Sequence, residues 1–178
     1  MIQFKRCTLA LAAVVILAIS ANLAQAQTNE VKEKAKKFLT QTDRAKGILN
    51  LAHPTSTLQS QGVEFFTVEK NKQSVPGHFI VAVKYSWRSS MDNKNYSTTL
   101  DFYFDAGGNL YELRCFNTNS DWPAWAGVNL FVGLFKEALR NDPAVKNDPQ
   151  MLKMVNDAPD ARQLTLAALQ IAKALGND

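Results

Sequence analysis

The chain has 178 residues, 20 Lys plus Arg against 16 Asp plus Glu, and 46% hydrophobic residues, the size and composition of one folded domain rather than a disordered tail. Its first 26 residues carry Lys5 and Arg6, an apolar run from Leu9 to Ile19 and the small-residue ending Ala24-Gln25-Ala26, which predicts a cleaved signal peptide and an exported, periplasmic or secreted product starting at Gln27. Without that segment 18 basic face 16 acidic residues, a near-neutral balance that argues against a nucleic-acid binder.

Cleavage would leave no membrane span, and Cys7 stands before the apolar run, wrongly placed for a lipid-modified N-terminus. It would also leave Cys115 alone, so no intramolecular disulfide forms and the core carries the stability. The expected organisation is a signal peptide over 1–26, a helix-plus-sheet region over 27–120, and a helical extension over 121–178 packed on the same domain.

From Val31, the apolar residues Ala35, Phe38, Leu39, Ala45, Ile48 and Leu49 recur at helical spacing, with Lys32, Lys34, Lys36 and Lys37 turned outward. One long amphipathic helix is predicted, ending near His53-Pro54 because proline disfavours helical geometry in the residue before it. Pro54 to Gly62 reads as a loop.

Four strands follow in the reading, Val63–Glu69, His78–Arg88, Tyr96–Asp105 and Leu110–Asn117, joined by connections short enough for an antiparallel meander. Centring the last hairpin on Gly107-Gly108 pairs Phe104 with Tyr111, Phe102 with Leu113 and Leu100 with Cys115 on one face. Tyr103 then pairs with Glu112 and Asp101 with Arg114 on the other. Phe79, Val81, Val83, Tyr85 and Trp87 extend the apolar face, and the first helix has the stripe to cover it.

The C-terminal third is helical. Pro123 suits a first turn, and Trp125, Val128, Val132, Phe135 and Leu139 follow until Asn141-Asp142-Pro143. A short Met151–Val155 segment follows Asp148-Pro149. A last helix opens at Asp157 and Pro159, carries Leu164, Ala168, Ile171 and Leu175, and closes at Gly176.

Gln73-Ser74-Val75-Pro76-Gly77, read as the loop between the first two strands, resembles the Gln-x-Val-x-Gly hairpin of the cystatins. The expected architecture, α+β with a long N-terminal helix on a four-stranded antiparallel meander, is similar to the cystatin-like and NTF2-like scaffolds. In cystatins this hairpin enters the cleft of papain-like cysteine peptidases, so the resemblance implies an inhibitor binding through Gln73, Val75, Pro76 and Gly77. The other cystatin wedge elements have no counterpart: no glycine precedes the helix after residue 26, and the last hairpin reads Ala106-Gly107-Gly108-Asn109.

No catalytic constellation stands out. His78, opposite Asp105 if the strand register continues, is the one acid-base candidate, which an NTF2-like enzyme could use. His53 and His78 lack metal-ligand spacing, and neither a metal nor a cofactor is expected. The remaining signal is the helix from Trp122 to Phe135, apolar on nearly every side. It is either sandwiched within the fold, or it presents Trp122, Trp125 and Phe131 to a small apolar ligand, a protein partner or a second copy in a homodimer. The sequence therefore favours a non-catalytic binding protein.

Overall fold

A computed structural model describes residues 28–52, 56–58, 63–88, 93–117 and 129–176. The expected signal segment, His53, Trp122 and Trp125 lie outside them.

The predicted single helix is two: α1 over 28–41 and α2 over Asp43–Ala52, with a break at Thr42. The hydroxyl of Thr40 donates to the Lys36 carbonyl at 2.8 Å, and that of Thr42 reaches the Lys37 carbonyl at 3.5 Å. Such bonds to the preceding turn compete with the helical ladder and bend it. Thr42 then caps the new helix, its carbonyl accepting from the Lys46 amide at 3.1 Å. The apolar stripe survives the break, since Ala35, Phe38, Leu39, Ala45, Ile48 and Leu49 are all buried. Opposite it, Lys34 and Glu30, Lys36 and Glu33, and Lys46 and Asp43 form exposed ion pairs at 3.5–3.8 Å, each worth only a few tenths of a kcal/mol.

The sheet is antiparallel. Strands β2 (Glu64–Lys70), β3 (Gln73–Arg88), β4 (Asn95–Phe104) and β5 (Leu110–Asn117) form the four-stranded meander. A fifth, three-residue strand β1 (Ser56–Leu58) lies where the sequence reads as loop, paired with Tyr85–Trp87 on the edge of β3 that β2 leaves uncovered.

The segment read as the loop between the first two strands, Lys70 to Gly77, is strand from Gln73 onward. The hairpin tip is the two-residue turn Asn71-Lys72, both residues at positive φ (54° and 64°), the backbone that matches the twist of the flanking strands. Pro76 and Gly77 fall in a wide bulge, where Thr67 pairs with Phe79 and Glu69 with Ser74, so that Val68 alone faces Val75 to His78.

The β4–β5 register follows the expected pairing from Leu100–Cys115 through Tyr103–Glu112, then slips. Phe104 pairs with Leu110 instead of Tyr111. The bulge turns Tyr111 out to solvent and puts Leu110 into the core.

One face of the sheet, built from Phe79, Val81, Val83, Leu100, Phe102, Phe104, Leu110 and Leu113, is buried. Phe79 and Phe104, cross-strand neighbours, stack with centroids 5.2 Å apart.

The C-terminal helices are α3 (Asn129–Asn141), α4 (Pro143–Lys146), α5 (Pro149–Asp157) and α6 (Ala161–Leu175). Each of the last three is capped by an aspartate: Asp142 accepts from the Ala144 amide, Asp148 from Gln150 and Met151, and Asp160 from Gln163. The last helix thus starts four residues beyond the expected Asp157. Leu164, Ala168, Leu169 and Ile171 of α6 join the core made by α1, α2 and the sheet.

The helix α6 also runs along the free edge of β5. Arg162 Nε donates to the Leu113 carbonyl and Gln170 Nε2 to the Leu110 carbonyl, both at 2.6 Å, and Lys173 Nζ donates to the Gly108 carbonyl. The spacing is commensurate. From Arg162 to Gln170 the helix rises about 12 Å and from Leu113 back to Leu110 the strand about 10 Å, so side chains two turns apart on α6 reach carbonyls on one edge of β5, and Lys173 reaches the turn that precedes it.

Candidate functional site

The helices α2, α3, α4 and α6 meet without closing. Between them lies an open-mouthed cleft of about 260 Å³. Its walls are Ile48, Phe135, Leu139, Val145, Ile171 and Leu175, with Gly47, Ala138, Ala168 and Ala172 supplying the room, and Arg44 and Asp142 are the charged residues that line it.

The helical pattern makes this space. Ala168 and Ala172 are one turn apart on α6, and Gly47 on α2 has nothing within 4 Å of where a Cβ would stand. Where small residues line facing helices, the backbones are held apart by the larger ones beside them and an apolar void remains. The volume is near the lower end for small-molecule sites, roughly 300–1,000 Å³.

The two charges differ. The Asp142 carboxylate accepts the Ala144 amide at 2.9 Å as the cap of α4. Arg44 is exposed and has no hydrogen bond or ion pair with any described residue.

Among the described residues, the cleft is lined by Phe135 from the helix singled out in the sequence, and by none of Gln73, Val75, Pro76, Gly77, His78 and Asp105. Trp122 and Trp125 lie outside the described residues; Phe131 is in α3, one turn before Phe135, with its side chain outside the description. Beside it Leu134 is 60% exposed, so at this position the outward side of α3 is open rather than sandwiched.

Gln73, Val75, Pro76 and Gly77 are in β3. Gly77 (φ 73°) lies against the β4–β5 turn, where a Cβ would meet that of Ala106 at 2.7 Å. The glycine is needed by the fold itself at this contact.

His78, inside β3, and Asp105, just beyond β4, stand one step past the Phe79–Phe104 pair, but each is engaged elsewhere. Asp105 accepts from the Gly107 amide (2.9 Å), the Asn109 amide (2.8 Å) and the Asn109 side chain (3.0 Å). Burial pushes its carboxyl up, yet these donors, with His78 adding a smaller attraction, hold it below the usual carboxylate range. His78 Nδ1 is 3.4 Å from the Tyr111 hydroxyl, and the two rings meet edge to face at 5.5 Å.

Asp101 and Arg114 face each other in the register, but the guanidinium grips Glu112, at 2.6 and 3.2 Å, and lies 4.8 Å from the Tyr103 ring centroid. Asp101 is left buried. Desolvation raises its pKa above the usual value, against the weaker pull of Arg114.

No group of three or more His, Cys, Asp or Glu among the described residues could hold a metal ion. No described helix is long and apolar enough to cross a membrane.

Comparison of the chain with protein-family models, with curated proteins and with solved structures finds no match.

Proposed function

We propose that this is an exported, non-catalytic binding protein that holds a small apolar ligand in the cleft between α2, α3 and α6. The observation that carries this is the cleft itself, with its apolar walls and its mouth open to solvent. Apolar walls left open to water forgo burial that larger side chains at Gly47 or Ala168 would supply. Export is supported by Lys5, Arg6, the Leu9–Ile19 run and Ala24-Gln25-Ala26, and N-terminal sequencing of the exported protein should begin at Gln27. The helix-covered antiparallel meander supports a cystatin- or NTF2-like scaffold, which leaves function to be argued from the site.

The test is native mass spectrometry with light scattering on the purified protein, with and without added decan-1-ol. A retained apolar ligand, or uptake of decan-1-ol that ends when Gly47→Leu fills the cleft, supports the reading. A folded protein that carries no ligand and takes up no decan-1-ol overturns it.

A further inference from the structure

We infer that the cleft selects an anionic amphiphile, its apolar tail between Ile48, Phe135 and Ile171 and its acidic head on Arg44. This rests on the cleft being a ligand site and adds the chemistry of the ligand.

A ligand buried in this space touches apolar side chains over most of its length, so its polar group must emerge where Arg44 and Asp142 stand. These two side chains do not pair with each other, and they differ in what already satisfies them. The Asp142 carboxylate already accepts the Ala144 amide as the cap of α4. On α2 the neighbouring acid, Asp43, is paired with Lys46 at 3.8 Å. Arg44 has no such partner among the described residues, so of the two charged side chains at the cleft it is the one whose hydrogen-bonding groups are left for a ligand.

A guanidinium is suited to this role. Its planar fork matches a carboxylate, sulfate or phosphate head with two parallel hydrogen bonds. Beside an apolar wall that excludes water the attraction is stronger than in bulk solvent. The limited volume points to a tail of medium length, since at ~30 Å³ per water the space equals fewer than ten waters.

The experiment is a calorimetric titration of the full protein with decanoate, decyl sulfate, decan-1-ol and decyltrimethylammonium, repeated on Arg44→Gln and Gly47→Leu. Arg44 is exposed and without a described partner, so its replacement leaves the fold intact, which circular dichroism checks. The expected result is tighter binding of decanoate or decyl sulfate than of the other two probes. Arg44→Gln then weakens the anion roughly tenfold while leaving decan-1-ol unchanged, and Gly47→Leu abolishes both. Preference between decanoate and decyl sulfate identifies the head group.

Equal binding of decan-1-ol and decanoate, with Arg44→Gln changing neither, overturns the anion assignment and leaves the apolar cleft standing. Preference for decyltrimethylammonium overturns it by reversing the sign of the charge. Binding of none of the four at millimolar concentration overturns both this inference and the reading beneath it.

Discussion

Gly77 and Ala106 are in such close approach that a Cβ at position 77 would stand 2.7 Å from the Ala106 methyl carbon. The contact joins the bulge of β3 to the turn between β4 and β5, and Gly77 is at positive φ as well. Gly77→Ala should therefore destabilise the protein by about 1–2 kcal/mol from the backbone conformation alone, with the clash adding to it. Urea denaturation would read this as a lower midpoint, and an unchanged midpoint would show that the turn moves aside at no cost. The same contact makes Gly77 a poor place to probe peptidase inhibition. The folded protein should not inhibit a papain-like peptidase at micromolar concentration, and inhibition would support the wedge reading of Gln73 to Gly77.

Gly47→Leu should do two things at once. It replaces a glycine inside α2 where nothing lies within 4 Å of the new Cβ, so helix propensity alone should stabilise the protein by about 0.5–1 kcal/mol. It also fills the cleft and should abolish decan-1-ol binding. A variant that is more stable and still binds would place the ligand elsewhere.

The carboxyl of Asp101 titrates above its ordinary value because burial disfavours the charged form more than Arg114 favours it. The unfolded chain then loses this proton first as pH rises, so this group's penalty grows from about pH 3.8 and is complete above the folded value. Asp101→Asn, of nearly the same shape and uncharged, should be more stable than the parent at pH 7 and equal to it at pH 3. An amide that destabilises at pH 7 would mean that Asp101 makes a charge interaction stronger than its desolvation.

Asp105 has the opposite sign. Its folded value is depressed, so its contribution is present above the unfolded value of about 3.8 and disappears as pH falls through the folded one. Asp105→Ala removes three hydrogen bonds from the β4–β5 turn and should cost about 1–2 kcal/mol at neutral pH, with the difference shrinking in acid. Thermal melts of both chains between pH 2 and pH 7 would show whether the curves converge.

Replacing Arg162 or Gln170 by leucine leaves the Leu113 or Leu110 carbonyl without its donor, at an expected cost of about 1–3 kcal/mol each. Amide exchange should accelerate along β5 before it does along β3, which lies inside the sheet. Uniform acceleration would mean that α6 stabilises the sheet by core packing alone.

Much of the sheet was legible because its two faces differ so sharply. From Leu100 to Tyr103 each residue has the expected partner on β5, since a one-residue slip there would exchange Phe102 for Tyr103 in the core. Beyond Tyr103 that argument weakens, because Leu110 and Tyr111 are both apolar enough to face inward, and the bulge that chooses Leu110 leaves no mark in the pattern. The Asn71-Lys72 turn was hidden for a related reason: Pro76 and Gly77 are stronger turn signals, and they mark the bulge instead. Asp148-Pro149 announced a helix start locally, through capping chemistry, whereas Asp142-Pro143, read only as the stop of the preceding helix, also opens α4. The cleft could not be read. It depends on Gly47, Ala138 and Ala172 meeting in space, and the only trace in the sequence is the Ala168, Ala172 spacing, which also suits plain close packing.

The edge contacts of α6 have a consequence for how the molecule reaches its folded state. Arg162, Gln170 and Lys173 finish a sheet whose strands all precede them, and α6 also packs on α2, more than a hundred residues earlier. Until these last residues join, β5 presents bare carbonyls and the core lacks one wall. Contacts so distant along the chain make folding slow, and β5 is the strand through which two unfinished copies would pair.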